Sequence, residues 1–329
     1  MIVKSQQLNP KLFSANQDYA PTRRGFGEGL AAAGEKHAQV VALCADLTES
    51  TQMQLFADVY PERFIEIGIA EQNLVTVASG LAAVGKKPFV SSYAAFSPGR
   101  NWEQIRTTIA LNNQPVVIVG SHAGLSVGPD GATHQMLEDI ALMRALPNMI
   151  VVVPCDVHEA HRATLAAAVS KVPVYIRLAR EKSAIITTVG TPFTIGRAQV
   201  LFTGDDLTIL ATGPLLHEAL LAAQELLSHN VRAEVINVST IKPLDSKTIL
   251  ESVGKTGAVV TVEDAQVTGG LGGAVAELLG EELPTPMERI GVRDRFGQSG
   301  TVPELWQEYG LLSEHIIAAA SRVMKRKAL

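Results

Sequence analysis

The chain has 329 residues, 47% of them hydrophobic and 19% charged, which is material for two globular domains with their own cores and excludes intrinsic disorder. Its net charge of −5 argues against broad nucleic-acid binding, which needs a basic face to displace counterions. The two cysteines, Cys44 and Cys155, lie in or just after apolar strand-like runs; they form neither a disulfide framework nor a zinc set and fit a reducing compartment. The first 25 residues lack the apolar segment of a signal peptide, and no apolar run approaches membrane-spanning length. A soluble cytoplasmic protein is expected.

Residues 1–20 read as a loosely attached lead-in. Thr22 is placed to cap a helix running to about His37, followed by a strand Val40–Ala45 and the loop DLTEST. Phe64, Ile65 and Ile67 form a strand-like run that reaches Gly68. A helix then opens at about Ala70, carries Leu74, Val77, Ala78 and Leu81 on one face and stops at Gly85. Strand Pro88–Tyr93, helix Pro98–Asn112, strand Pro115–Ser121 and a Gly-rich loop follow. Helix Leu137–Ala145, strand Met149–Val153, helix Asp156–Ser170 and strand Val174–Leu178 complete the first unit. Residues 181–204 break the rhythm and read as a linker or an edge excursion, with 186–204 taken as the linker between domains. A second alternation runs through strands near 206–211, 231–238, 258–262 and 287–290, with intervening helices and two short C-terminal ones. The expectation is an α/β chain of two domains with mainly parallel sheets, at 1–185 and 205–329.

Three motif-like strings carry little. Gly80–Lys87 (GLAAVGKK) has Lys where a phosphate-binding loop needs Ser or Thr, and it closes a helix instead of opening one. The string GGLGG at 269–273 puts Val275 where a dinucleotide fingerprint needs Gly or Ala; close backbone packing or an anion at the helix start explains it better than NAD. His158 and His161 share a helix face without a third ligand and read as solvated.

The informative pieces are a carboxylate and a loop. Glu71 stands in the first turn of an apolar helix, at the C-terminal end of a strand, where ligands of open α/β sheets bind. Taken singly, it would serve the helix dipole. The loop 121–135, SHAGLSVGPDGATHQ, follows a buried strand and combines glycines with His122, Asp130 and His134. Glycine lets backbone approach a ligand closely, and two histidines in one strand-end loop suit acid–base or hydrogen-bonding work on one substrate.

With Tyr93 and Phe96, this set resembles the pyrimidine-binding part of transketolase. The matching strings are PTRR at 21–24, DLTES at 46–50, IGIAEQ at 67–72, SSYAAF at 91–96, GPDGATHQ at 128–135 and LARE at 178–181. VEDAQVTGGLGG at 262–273 resembles the C-terminal domain of the same family. The resemblance implies that Glu71 hydrogen-bonds the aminopyrimidine of thiamine diphosphate, with burial keeping its proton available, and that Phe96 and Tyr93 pack around that ring. It implies that His122, Asp130 and His134 address sugar hydroxyls and carbonyl, with His134 catalytic alongside Glu71. It further implies that Arg23, Ser50, His122 and Arg180 hold a substrate phosphate. Asp46 would belong to the cofactor surround or a subunit boundary.

The family's Gly-Asp-Gly motif for the diphosphate and its Mg2+ is absent. The resemblance therefore implies that diphosphate and metal sit mainly on a separate N-terminal subunit, in a heterotetramer acting on sugar phosphates, and no metal ligand is assigned to this chain. A 1-deoxyxylulose-5-phosphate synthase shares the loop but not His122, and a 2-oxoacid dehydrogenase beta subunit has no need of Arg23 and Arg180. A scaffold without catalysis would need none of these side chains. The aromatic that long transketolases carry after Phe96 is missing, since the sequence there reads SPGR.

Overall fold

A computed structural model describes residues 1–327; the last two residues of the second expected domain lie outside the described residues. The first sheet has seven strands, and six of them run parallel. From the middle outward its order is Val117–Ser121, Lys87–Tyr93, Val40–Cys44 and Phe64–Glu66 on one side, and Val174–Arg177 then Ile150–Val152 on the other. The inner strands are buried on both faces, as their continuous apolar runs require, while Phe64–Glu66 is a partly exposed edge; helices Thr22–Lys36 and Val157–Ala168 pack together over one face and Glu71–Ala83 belongs to the other core. The ends of these strands at Cys44, Glu66, Tyr93, Ser121 and Arg177 gather the loops that matter below.

The second sheet has five strands in the order Met287–Val292, Val259–Gln266, Leu207–Ala211, Ala233–Asn237 and Gln199–Phe202. Only Gln199–Phe202 is antiparallel. This strand lies inside the segment expected as a linker or an edge excursion, and it forms an edge of the second sheet. The domains also exchange structure. Thr240–Lys242, from the second half of the chain, pairs antiparallel with Ile150–Val152 and becomes the seventh strand of the first sheet. One hydrophobic core accordingly runs from Leu74, Val90 and Ile118 through Val151 and Ile241 to Ile249 and Val275.

The lead-in is the clearest correction. Tyr19–Pro21 pairs with Lys182–Ala184, Val3 N–H donates to Leu201 O at 2.9 Å, and Asn9 reaches Ile185 and Ile186. Leu12 is 2% exposed and belongs to the second domain's core. In sequence the segment looks detached because its apolar residues follow neither a helical nor a strand period; one buried leucine and a ladder of backbone bonds hold it.

The segment after Phe96 also departs from expectation. The helix begins at Trp102 instead of Pro98, then runs on as π-helix over Ile105–Ala110. Asn101 Nδ2 donates to Ser97 Oγ at 3.1 Å and to the Glu71 carbonyl at 2.8 Å, offering the backbone an alternative to helix. The two discounted glycine strings resolve as a helix stop and an internally capped helix start. Gly85 follows the end of Glu71–Ala83 at φ +88°, and Lys87 opens the next strand with its Nζ donating to Ser170 O. At GGLGG the anion on the helix start is the chain's own Glu263, which accepts the N–H groups of Leu271 and Gly272 at 2.7 Å each. Burial raises the pKa of this carboxyl to about 7 against the pull of those two donors. Among the described residues no helix is long and apolar enough to cross a membrane.

Candidate active site

Glu71 is the first residue of helix Glu71–Ala83 and 5% exposed. A short β-strand, Phe64–Glu66, and Gly68 at φ +77° turn the chain into this helix start. Glu66 holds the turn, accepting the N–H groups of Asp46 at 2.7 Å and Gly68 at 2.8 Å, and the Thr48 hydroxyl at 3.0 Å. Asp46 itself is exposed at φ +57° and serves the loop backbone.

Arg100 donates from Nη1 to both Glu71 carboxylate oxygens, at 3.2 and 3.3 Å, and its guanidinium lies over the Phe96 ring at 4.2 Å. A planar group carrying N–H donors therefore already sits between the carboxylate and the aromatic ring. The sequence pointed to SPGR only for the aromatic it lacks; the residue that matters there is the arginine, and it went unassigned. Asn101, equally unassigned, fixes the Glu71 backbone.

A second set of side chains meets at the ends of neighbouring strands. Tyr93 stacks on His122 with ring centroids 3.9 Å apart and lies 5.9 Å from Phe96. His134 approaches edge-on, 5.4 Å from Phe96 and 6.2 Å from Tyr93. The Tyr93 hydroxyl and Ser50 Oγ share a hydrogen bond at 2.7 Å, and Ser50 Oγ lies 3.4 Å from His122 Nε2. Arg23 Nη1 donates to the Ser50 carbonyl at 2.6 Å, while Arg180 Nη1 donates to the Val127 carbonyl at 2.7 Å. Asp130, exposed at the far end of the loop, stands 4.0 Å from Arg180. All the residues singled out above are thus brought into one neighbourhood, with Glu71 joined to it through Arg100 and Phe96.

The backbone explains why the loop takes this shape. His122 has φ +56°, and Gly124, Gly128 and Gly131 have φ between +72° and +80°, so the chain reverses repeatedly with little side-chain cost at the glycines. Ser121 Oγ meets His122 Nδ1 at 2.8 Å and Thr133 Oγ1 meets His134 Nδ1 at 3.0 Å, which orients both rings. Among the described residues no three His, Cys, Asp or Glu side chains converge as a metal set.

Electrostatically the site is prepared for an anion. Burial lowers the Arg23 pKa, and the Arg180 charge lowers it further. Its Nε is buried without a partner. His122 is 1% exposed, and burial first, then Arg23 and Arg180, bring its pKa down to about 3. The imidazole is therefore neutral at any ordinary pH. Because the unfolded imidazole titrates near 6.5, the unfolded chain takes up the proton that the folded chain refuses. Stability from this group is full above that pH and falls as pH drops toward 3, by about 1.4 kcal/mol per unit. Melting temperatures measured from pH 7 to 5 should decline less steeply in His122→Gln than in the parent; equal slopes would mean that His122 protonates freely in the fold.

Comparison with known proteins agrees with this geometry over nearly the whole chain. The family described as transketolase, pyrimidine binding domain, matches residues 18–184, and transketolase, C-terminal domain, matches residues 196–316. A provisionally described transketolase C-terminal section from Methanocaldococcus jannaschii is 45% identical over 312 residues, 94% of this chain and 98% of that protein. A 6-deoxy-6-sulfo-D-fructose transketolase subunit from a Clostridium species is 44% identical over 293 residues, 89% of this chain and 91% of its own. A solved structure described as a split gene transketolase, inactive beta4 tetramer, superposes with a TM-score of 0.88 at 43% identity, covering 93% of this chain and 99% of that one. Several 1-deoxy-D-xylulose-5-phosphate synthases match at lower identity, over about half of their own length.

Proposed function

Because the chain belongs to the transketolase family across both of its domains, we propose that it is one subunit of a split transketolase. It would carry the pyrimidine half of a thiamine diphosphate site and serve transfer of a two-carbon ketol unit from a ketose phosphate to an aldose phosphate. The observation that carries this reading is the meeting of two guanidinium groups, a neutral imidazole and an aromatic wall beside a buried carboxylate. Redox enzymes of this architecture need no such anion site, and a scaffold needs neither half.

The residues present fit an aminopyrimidine. Glu71 is a buried carboxylate at a helix start, and the Phe96 face is already occupied by a flat N–H donor. When bound, thiamine diphosphate supplies a nucleophilic thiazolium carbon. Glu71 would share a proton with a ring nitrogen, and Phe96 and Tyr93 would fix the ring plane. Arg100 bonds both Glu71 oxygens and lies over the Phe96 ring, so it would move aside for a ring stacking on that face. His134 and His122 would hold or accept protons at sugar oxygens, with Asp130 oriented toward a hydroxyl. Arg23, Ser50 and Arg180 would bind the terminal phosphate, as planar forks suit tetrahedral oxyanions.

Diphosphate and Mg2+ would sit mainly on a separate N-terminal subunit in a hetero-oligomer. The relative described as a C-terminal section supports this, being matched over 98% of its length. Calorimetry with the isolated chain should show weak thiamine diphosphate and Mg2+ binding. Adding a subunit that carries the Gly-Asp-Gly motif should give tight stoichiometric binding together with ketol transfer. Tight binding by this chain alone would refute the split assignment.

A further inference from the structure

The loop bearing His122, Asp130 and His134 is not shaped by its own domain alone. Asp264 lies on strand Val259–Gln266 of the second sheet and is 4% exposed. Its Oδ1 accepts the Leu125 N–H at 3.0 Å and its Oδ2 faces the Ser126 N–H at 3.3 Å. Arg177 fixes the same strand against the first sheet, donating from Nη2 to the Asp264 carbonyl at 2.8 Å while Nε pairs with Asp139 at 2.9 Å. The approach is close: a Cβ on Gly124, itself at φ +80°, would fall 2.5 Å from Asp264 Oδ2.

Downstream, the same loop holds an arginine of the candidate site. The carbonyl of Val127, next after Ser126, accepts from Arg180 Nη1 at 2.7 Å, and Ser126 Oγ accepts the Arg180 N–H at 3.4 Å. A second tie follows, since Gln135 Nε2 donates to Gly128 O at 3.1 Å and to Gln298 O of the second domain at 2.9 Å. We propose that Asp264 is a positioning residue: by holding the Leu125 and Ser126 N–H groups it sets the Val127 carbonyl, and through it the Arg180 guanidinium, without touching substrate or cofactor. The second domain thereby acts on recognition of the substrate's anionic end. The inference rests on the reading of Arg23 and Arg180 as an anion site.

Removing the carboxylate leaves two buried N–H groups without their acceptor, which the loop can relieve only by moving. Asp264→Asn keeps one acceptor oxygen and turns the other position into a donor facing a donor. Three readouts on the full chain test the idea. Amide hydrogen exchange at Leu125 and Ser126 should be faster in Asp264→Asn than in the parent. Inorganic phosphate should bind the variant more weakly. In the complex with the diphosphate-binding subunit, KM for a phosphorylated ketose should rise about tenfold, the low end of what losing a hydrogen bond to a charged group costs. KM and kcat for unphosphorylated hydroxypyruvate should stay within about twofold. A residue needed only for the fold would depress both donors together, and that result, or unchanged exchange and phosphate binding, overturns the proposal. Gly124→Ala, which presses on the contact from the loop side, should give the same split, so a failure of Asp264→Asn to fold would not shield the idea. Should the parent complex prove inactive while phosphate still binds in an Asp264-dependent way, the ketol-transfer reading fails and the positioning role stands.

Discussion

Glu71→Gln should lower turnover of the assembled enzyme by about 10²–10⁴-fold, the usual weight of a positioned acid–base group, while folding and subunit assembly persist. The substitution keeps the shape of the side chain, and the helix start it occupies is held by other contacts, notably Asn101 Nδ2 on the Glu71 carbonyl. What disappears is the proton that a carboxyl can share with a heterocyclic nitrogen, together with the charge that pairs with Arg100. The Arg100 side chain is 52% exposed, so losing that pair costs little stability. Stopped-flow turnover beside thermal denaturation separates the two effects. A Glu71→Gln complex with near-normal turnover would return this residue to a helix-dipole role and leave Arg100 as its structural partner.

Truncating Arg23 or Arg180 to Ala should raise KM for phosphorylated sugars roughly ten- to a hundredfold, because a hydrogen bond to a charged group contributes about 1.5–3 kcal/mol. An unphosphorylated donor such as hydroxypyruvate leaves that subsite empty, so its kinetics should change little. The two arginines differ in one respect. Arg180 has acidic neighbours, Glu181 at 3.4 Å and Asp130 at 4.0 Å, whereas Arg23 bonds a carbonyl and its Nε is buried without a partner. Arg23→Ala therefore removes a cation whose charge is less compensated, and it should show the larger loss. Equal losses with both donors would assign the arginines to assembly instead of substrate.

The helix carrying Glu71 was legible in the sequence because the spacing of Leu74, Val77, Ala78 and Leu81 and the stop at Gly85 are local signals. The alternation of apolar strands and helices likewise gave the parallel sheets. The anion site was not legible by such means. Arg23 and Arg180 lie on opposite ends of the first domain's sequence, and the antiparallel pairing of Tyr19–Pro21 with Lys182–Ala184, with Thr22 bonded to Ala179, sets them side by side. Only resemblance to a known family joined them in advance. Arg100 and Asn101 escaped notice because their turn is held by side-chain bonds to Ser97 and Glu71, contacts without periodicity. The lead-in and the crossing strand Thr240–Lys242 are short, and their partners are distant in the chain.

That crossing strand makes the two halves one object. Cut the chain at residue 204 and Ile150–Val152 loses its neighbour, exposing a row of unpaired N–H and C=O groups together with the core face that Ile241 covers. A fragment ending there should stick to copies of itself along this edge, and calorimetry of the intact chain should record a single transition instead of two. If the fragment proved monomeric and well folded, the strand would be mere decoration. As built, the two halves cannot be parted at this boundary without opening the first sheet and its core.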